Sequence, residues 1–286
     1  MRVLAVRTLP LLIVLGMGVA GCGDPRPADP RQAEPPATAT STATSSGPSP
    51  ATPSDRSPTA PSTGAPGPAE TAEASPGPGE SLIAGHYHPL WPFAGSAEAA
   101  AWQRAHQADG REGWHLDAGR TAVAFTRDYL GFTEIDQAVK VVKDNEHARV
   151  HVGYRAEEGP KPLVAAVVHL MRYGKGKDAP WEVVGTDDTS LTLTEPAYGA
   201  SASSPLTVGG RITGVDESIR VQVLHPGADG PLGERCCLSA GGEKAAWTAK
   251  VGFTAQPGGT LTVVASTGGH VATVERFAVT GVTVPS

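Results

Sequence analysis

The pattern of apolar and polar positions changes character several times along this chain, and each change predicts a different element. It opens with an apolar run from Leu9 to Val19, after which no aromatic or large aliphatic residue occurs between Cys22 and Leu82. Helical spacing follows. Ser96 stands where it would cap a run containing Glu98, Trp102, Ala105 and Ala108. Asp117 stands where it would cap a second helix, whose apolar positions Ala118, Ala122, Phe125 and Tyr129 recur every three to four residues until Gly131. The period then falls to two. Val150, Val152 and Tyr154 alternate with Arg149, His151 and Gly153, which reads as a strand with one wet face. Leu163 to Met171 is apolar at nearly every position, as expected of a central strand buried on both faces, and Trp181, Val183 and Val184 form a further short strand.

From Leu191 onward the pattern predicts strands only. Leu206, Val208 and Ile212 alternate with polar neighbours, as do Ile219, Val221 and Val223, then Ala245 to Phe253, then Leu261 and Val263, then Phe277 and Val279. Glycine-rich turns are expected at Gly227 to Gly233, Gly241-Gly242, Gly258-Gly259 and Gly268-Gly269. The expected architecture is therefore multidomain. Residues 85–190 form an α+β domain in which two helices pack on one face of a sheet of about four strands. Residues 191–286 form an all-β sandwich.

Composition places the rest. Arg2 and Arg7 precede the apolar run, which ends in Val19-Ala20-Gly21-Cys22. A basic start, a short hydrophobic stretch and small residues directly before a cysteine are the pattern of a bacterial lipoprotein signal peptide, here residues 1–22. The run is short of the roughly 20 residues a membrane span needs. The reading makes Cys22 the lipidated N-terminus of an extracytoplasmic protein held at the outer face of the membrane. Residues 23–84 carry 14 of the chain's 26 prolines amid Ala, Thr, Ser and Gly. Such a segment buries too little apolar surface to offset its conformational entropy and is expected to be a disordered tether reaching roughly 40 Å.

Charge narrows the partners. The formal charge of -6 becomes -8 once Arg2 and Arg7 leave, since 21 basic residues then face 29 acidic ones. This balance excludes nucleic acid, because phosphate binding needs clustered Lys and Arg. The densest basic group, Lys161, Arg172, Lys175 and Lys177, is diluted by Asp178 and reads as a solvated turn. Beyond Cys22 the cysteines are Cys236 and Cys237. Adjacent cysteines cannot staple distant parts of a fold. They can form a vicinal disulfide, remain two thiols or pair between chains, whereas a metal or redox role would want Cys-x-x-Cys spacing or nearby histidines.

Two resemblances add to this. The run Leu193-Thr194-Glu195-Pro196, then Ala200 through Ser203 to Ser204-Pro205-Leu206-Thr207-Val208-Gly209-Gly210, resembles the opening of the immunoglobulin-like domain of bacterial spore germination proteins. Trp247-Thr248-Ala249-Lys250-Val251-Gly252-Phe253 is similar to that family's segment before its penultimate strand, so the likeness covers about residues 192–284. It implies an immunoglobulin-like accessory module outside the cytoplasm, with no catalytic residues to transfer, and it does not include Cys236 and Cys237. The order of helices then strands in the first domain, closing on Trp181-Glu182-Val183-Val184-Gly185, resembles the cone-shaped nuclear-transport-factor-like or cystatin-like folds, which often hold a cavity between helix and sheet.

The chemistry-bearing candidates are few. His86 and His88, and His147 and His151, have the look of metal-ligand pairs but lack a carboxylate placed as third ligand, so no metal or cofactor is expected. Glu112, His115 and Asp117 beside Trp114 could supply an acid and a base, but the same residues serve as a helix cap and its approach. His169 falls within a buried strand as a core histidine. Tyr87, Trp91 and Phe93 could bind sugar or a partner, or pin the chain onto the first domain. No Gly-x-Ser-x-Gly elbow, Ser-x-x-Lys or phosphate loop occurs. The reading is a non-catalytic lipoprotein binding an envelope protein or cell-wall polymer. Its alternative is a small-molecule-binding or catalytic α+β domain with the sandwich as accessory.

Overall fold

A computed structural model describes residues 82–157 and 159–286. The leader, Cys22 and nearly all of the proline-rich segment lie outside the described residues. The described chain is mostly β, with two helices and two antiparallel sheets of four strands each. No described helix is long and apolar enough to cross a membrane.

Helix α1 spans Ser96–Asp109 and α2 spans Ala118–Ala124, continuing into a wider turn over Phe125–Tyr129. Asp117 caps α2 as its position suggested, Oδ1 accepting from the Arg120 N–H at 2.9 Å. Ser96 does not cap α1. Gly95 holds the capping position, Ser96 is already helical, and Glu98 instead reaches back to accept from the Ala94 N–H at 2.8 Å. Gly110 and Gly131 follow the two helices with φ of 71° and 75°, the left-handed turn that glycine makes without strain.

The first sheet is a meander of β1 (Gln137–Lys143), β2 (His147–Tyr154), β3 (Leu163–Arg172) and β4 (Trp181–Asp187), in that spatial order. The alternation read in β2 holds, with Val150 and Val152 buried and Arg149 and His151 half-buried. In β3 the double burial begins only at Ala165, because Leu163 and Val164 are exposed at 45% and 43%. The helices divide between the faces instead of sharing one. Ala118, Ala122 and Phe125 of α2 pack with Val150, Val168, Leu170 and Val183, whereas Ala99 and Trp102 of α1 pack with Met171 and Val184. Alternation along β3 sends Met171 away from Leu170, which is why each helix meets a different set of side chains.

The second sheet has the order β6 (Gly233–Val251), β5 (Leu206–Leu224), β7 (Thr260–Thr267), β8 (Arg276–Thr283). The expectation of many short strands is corrected here. Leu206 to Thr213 and Ile219 to Val223 belong to one 19-residue strand, and Gly241-Gly242 lies inside its equally long partner β6, not at a turn. The gap in alternation that reads as a turn is a set of bulges around Thr213–Glu217, where Asp216 has φ 54°. On its side away from β6, the first half of β5 meets Leu191 and Glu195, and its second half meets β7.

The two sheets share a core. The cluster under α2 also contains Leu224, Val264, Phe277 and Val279 of the second sheet. A further cluster, with Leu191, Ile212, Ile219, Trp247 and Leu261, fills the second sheet itself.

Candidate functional site

The helix-entry candidates serve structure first. His115 is 4% exposed, stacked on Trp114 at 3.6 Å between ring centres and edge-on to Trp102 at 4.9 Å. Burial lowers its pKa to about 4, with His106 adding to the effect, so the ring is neutral near pH 7. Asp117 is occupied as the α2 cap, and Glu112 stands 4.0 Å from His115 Nε2 on the solvent side. Phe93 is buried and Trp91 forms a bridge to Val183, extending the sheet beside β4. Tyr87 is half-buried edge-on to His169 at 5.0 Å, so these aromatics pin the chain down.

The histidines gather elsewhere. His147 Nδ1 and His169 Nε2 lie 3.2 Å apart across β2 and β3, one donating to the other. Burial, with Arg149 and His147 adding to it, lowers the His169 pKa to about 3. His86 is turned back to the Ala84 carbonyl, and His88 lies against Tyr198, whose hydroxyl accepts from the His88 N–H at 2.7 Å. His151 sits on the same strand as His147 but is not drawn into this group. Among the described residues no set of three or more His, Cys, Asp or Glu could hold a metal ion.

What the structure assembles openly is a groove. Trp114, Arg120, Val123 and Arg127 on one side, and Ala138 and Val141 of β1 on the other, line about 620 Å³ between α2 and the sheet edge. α2 lies in contact with that edge at Gly119, where a Cβ would stand 3.4 Å from both Ala138 and Val141. β1 is an edge strand with Val139, Val141 and Val142 exposed at 37%, 42% and 50%. The chain matches no protein-family model, and no curated protein or solved structure is significantly similar to it. The geometry therefore stands alone.

That geometry suits an extended segment. The outer edge of β1 presents main-chain donors and acceptors, Val123 and Val141 supply apolar contact inside the groove with Val139 and Val142 exposed on the same strand outside it, and Arg120, Arg127 and Asp128 supply ionic ends. His115, Asp117 and His169 do not converge on the groove as a reacting set. Asp117 alone borders it, and its carboxylate is committed to the helix cap. Sequence reading missed β1 because Gln-Ala-Val-Lys-Val-Val-Lys lacks clean alternation. The signal that could have found it is the density of β-branched residues between the turn residues Asp136 and Asp144.

Proposed function

We propose that this chain is an extracytoplasmic lipoprotein, held at the outer face of the membrane by lipid on Cys22, that binds an envelope polypeptide or wall polymer without catalysis. The residues before Cys22 support the address. The observation that carries the role is the apolar edge of β1, which no other strand pairs among the described residues, beside the α2 groove. In this reading the second sheet belongs to an accessory module resembling the immunoglobulin-like domain of the germination proteins, and the proline-rich segment sets the groove's distance from the membrane.

The test joins both halves. Full-length chain should incorporate a fatty-acid label that Cys22→Ala abolishes; labelling that persists would remove the anchor. Capture of envelope material by the full chain should fall at least tenfold when Val139 and Val141 are both changed to Asp, with the melting temperature held. Undiminished capture would remove β1 as the binding edge.

A further inference from the structure

Cys236 and Cys237 lie in β6, the edge strand of the second sheet, joined to one another. Adjacent side chains of a regular strand point to opposite faces, so neighbouring cysteines there could not meet. The register explains how they do. Leu238 pairs with Ile219 and Arg235 with Val221, which leaves Cys236 and Cys237 together opposite the single residue Arg220. This is a β-bulge with two residues against one, and such a bulge re-aims its side chains.

The bulge faces a cleft of about 380 Å³. Arg220 and Gln222 of β5 line it with both cysteines, and Leu130 and Phe132, from the end of the α2 segment, form part of its wall. Cys236 is half-buried and Cys237 exposed. A ring closed between adjacent residues encloses no length of chain, so in the chain-entropy account it restrains the unfolded state by only about 1 kcal/mol. The pair is a poor staple, yet it is placed in an open cleft beside a guanidinium.

We propose that Cys236 and Cys237, with Arg220, form a thiol–disulfide exchange site that reacts with a small thiol entering this cleft. The thiolate attacks the exposed Cys237 Sγ. A bond forms between the incoming sulfur and that Sγ, the Cys236–Cys237 bond breaks, and its electron pair leaves on Cys236 Sγ. A second thiolate attacks the incoming sulfur of the mixed disulfide and releases Cys237 as a thiolate. Two small thiols become one disulfide, the protein disulfide becomes a dithiol, and the protons of the thiols pass to the two cysteines. Arg220 opposite the bulge favours the departing thiolate, and a better leaving group exchanges faster. Glu234 opposes this, because its carboxylate accepts from Arg220 at 2.9 Å and from the Gln222 amide at 2.9 Å. On this proposal the bulge brings the two sulfurs together without Cys-x-x-Cys spacing.

The experiment treats the folded full-length chain with millimolar 2-mercaptoethanol, quenches with iodoacetamide and reads the Cys236–Lys244 tryptic peptide by mass. Without thiol the peptide should carry no label. With thiol it should pass through a species holding one mercaptoethanol and one label, then carry two labels. Arg220→Gln should slow the thiol-dependent step roughly threefold to tenfold, Arg220→Lys should restore most of the rate, and Glu234→Gln should raise it. Full labelling without thiol, resistance of the pair in the folded chain, or rates indifferent to Arg220 and Glu234 would each overturn the proposal. If Arg220→Gln does not fold, the Arg220→Lys and Glu234→Gln rates decide alone.

Discussion

Glu182 is the residue whose environment disagrees most with its chemistry. It sits in β4, fully buried, with Oε2 accepting from the Phe93 N–H at 3.3 Å and Oε1 without a partner among the described residues. Burial drives its carboxyl well above the usual carboxylate range, against the pull of the main-chain donors, so the neutral acid is the favoured form. A raised folded-state pKa gives stability that is complete below the unfolded value near 4.5 and is lost as pH rises through the folded value. Glu182→Gln should therefore be more stable than the parent at pH 7. The gap should close towards pH 4, as thermal melts across that range would show. His115 and His169 run the other way. Their pKa values are depressed to about 4 and about 3, so their contribution is complete above 6.5 and lost as pH falls through those values. Melting temperature should drop on acidification below 6.5, and His169→Gln should flatten that drop. An unchanged slope would remove His169 from the account.

At the scale of elements, close main-chain approach decides what can pack. A Cβ on Gly210 would collide with the Thr192 carbonyl, where Leu191 to Glu195 lies against the first half of β5. Gly210→Val should detach that segment and expose Leu191, at a cost of about 2–4 kcal/mol read by denaturant unfolding. Sequence made much of this level legible and failed for definable reasons. Asp117 as a cap, the alternation of β2 and the buried run of β3 from Ala165 onward are local signals that tertiary context left standing, while Leu163 and Val164 at its start are exposed. The continuity of β5 across Gly214 was hidden, because a bulge breaks alternation just as a turn does. The edge strand β1 was hidden because exposed valines do not alternate. The groove followed it into obscurity, since its second wall is that strand. The cysteine bulge needed the register of the partner strand, which no spacing within β6 reveals.

For the whole molecule, the division at Ser190 separates the sheets in sequence but cuts through a common core. Phe277 and Val279 of β8 pack with Val168 and Trp181 of the first sheet, and Val279 exchanges main-chain hydrogen bonds with the Thr186 hydroxyl. Fragments 82–190 and 191–286 expressed apart should each expose this surface, bind a hydrophobic dye and unfold at lower denaturant than the intact chain. Mixing them should restore the intact midpoint if the shared core alone holds them together. Independent, dye-silent fragments would show the contact to be dispensable.

The strap that enters at Ile83 has a mechanical meaning. Before α1 the chain makes a small bridge from Ile83 to Tyr87 and then runs beside β4, with Leu90 N–H donating to the Val183 carbonyl at 3.0 Å and Val183 N–H to Trp91 at 2.7 Å. A pull on the chain ahead of Ile83 would load these bonds to β4 before the rest of the first sheet. The strap also carries Trp91, which stacks on Trp114 of the groove wall at 5.7 Å between ring centres, so a pull that peeled the strap from β4 would be felt in the groove at the other side of the sheet.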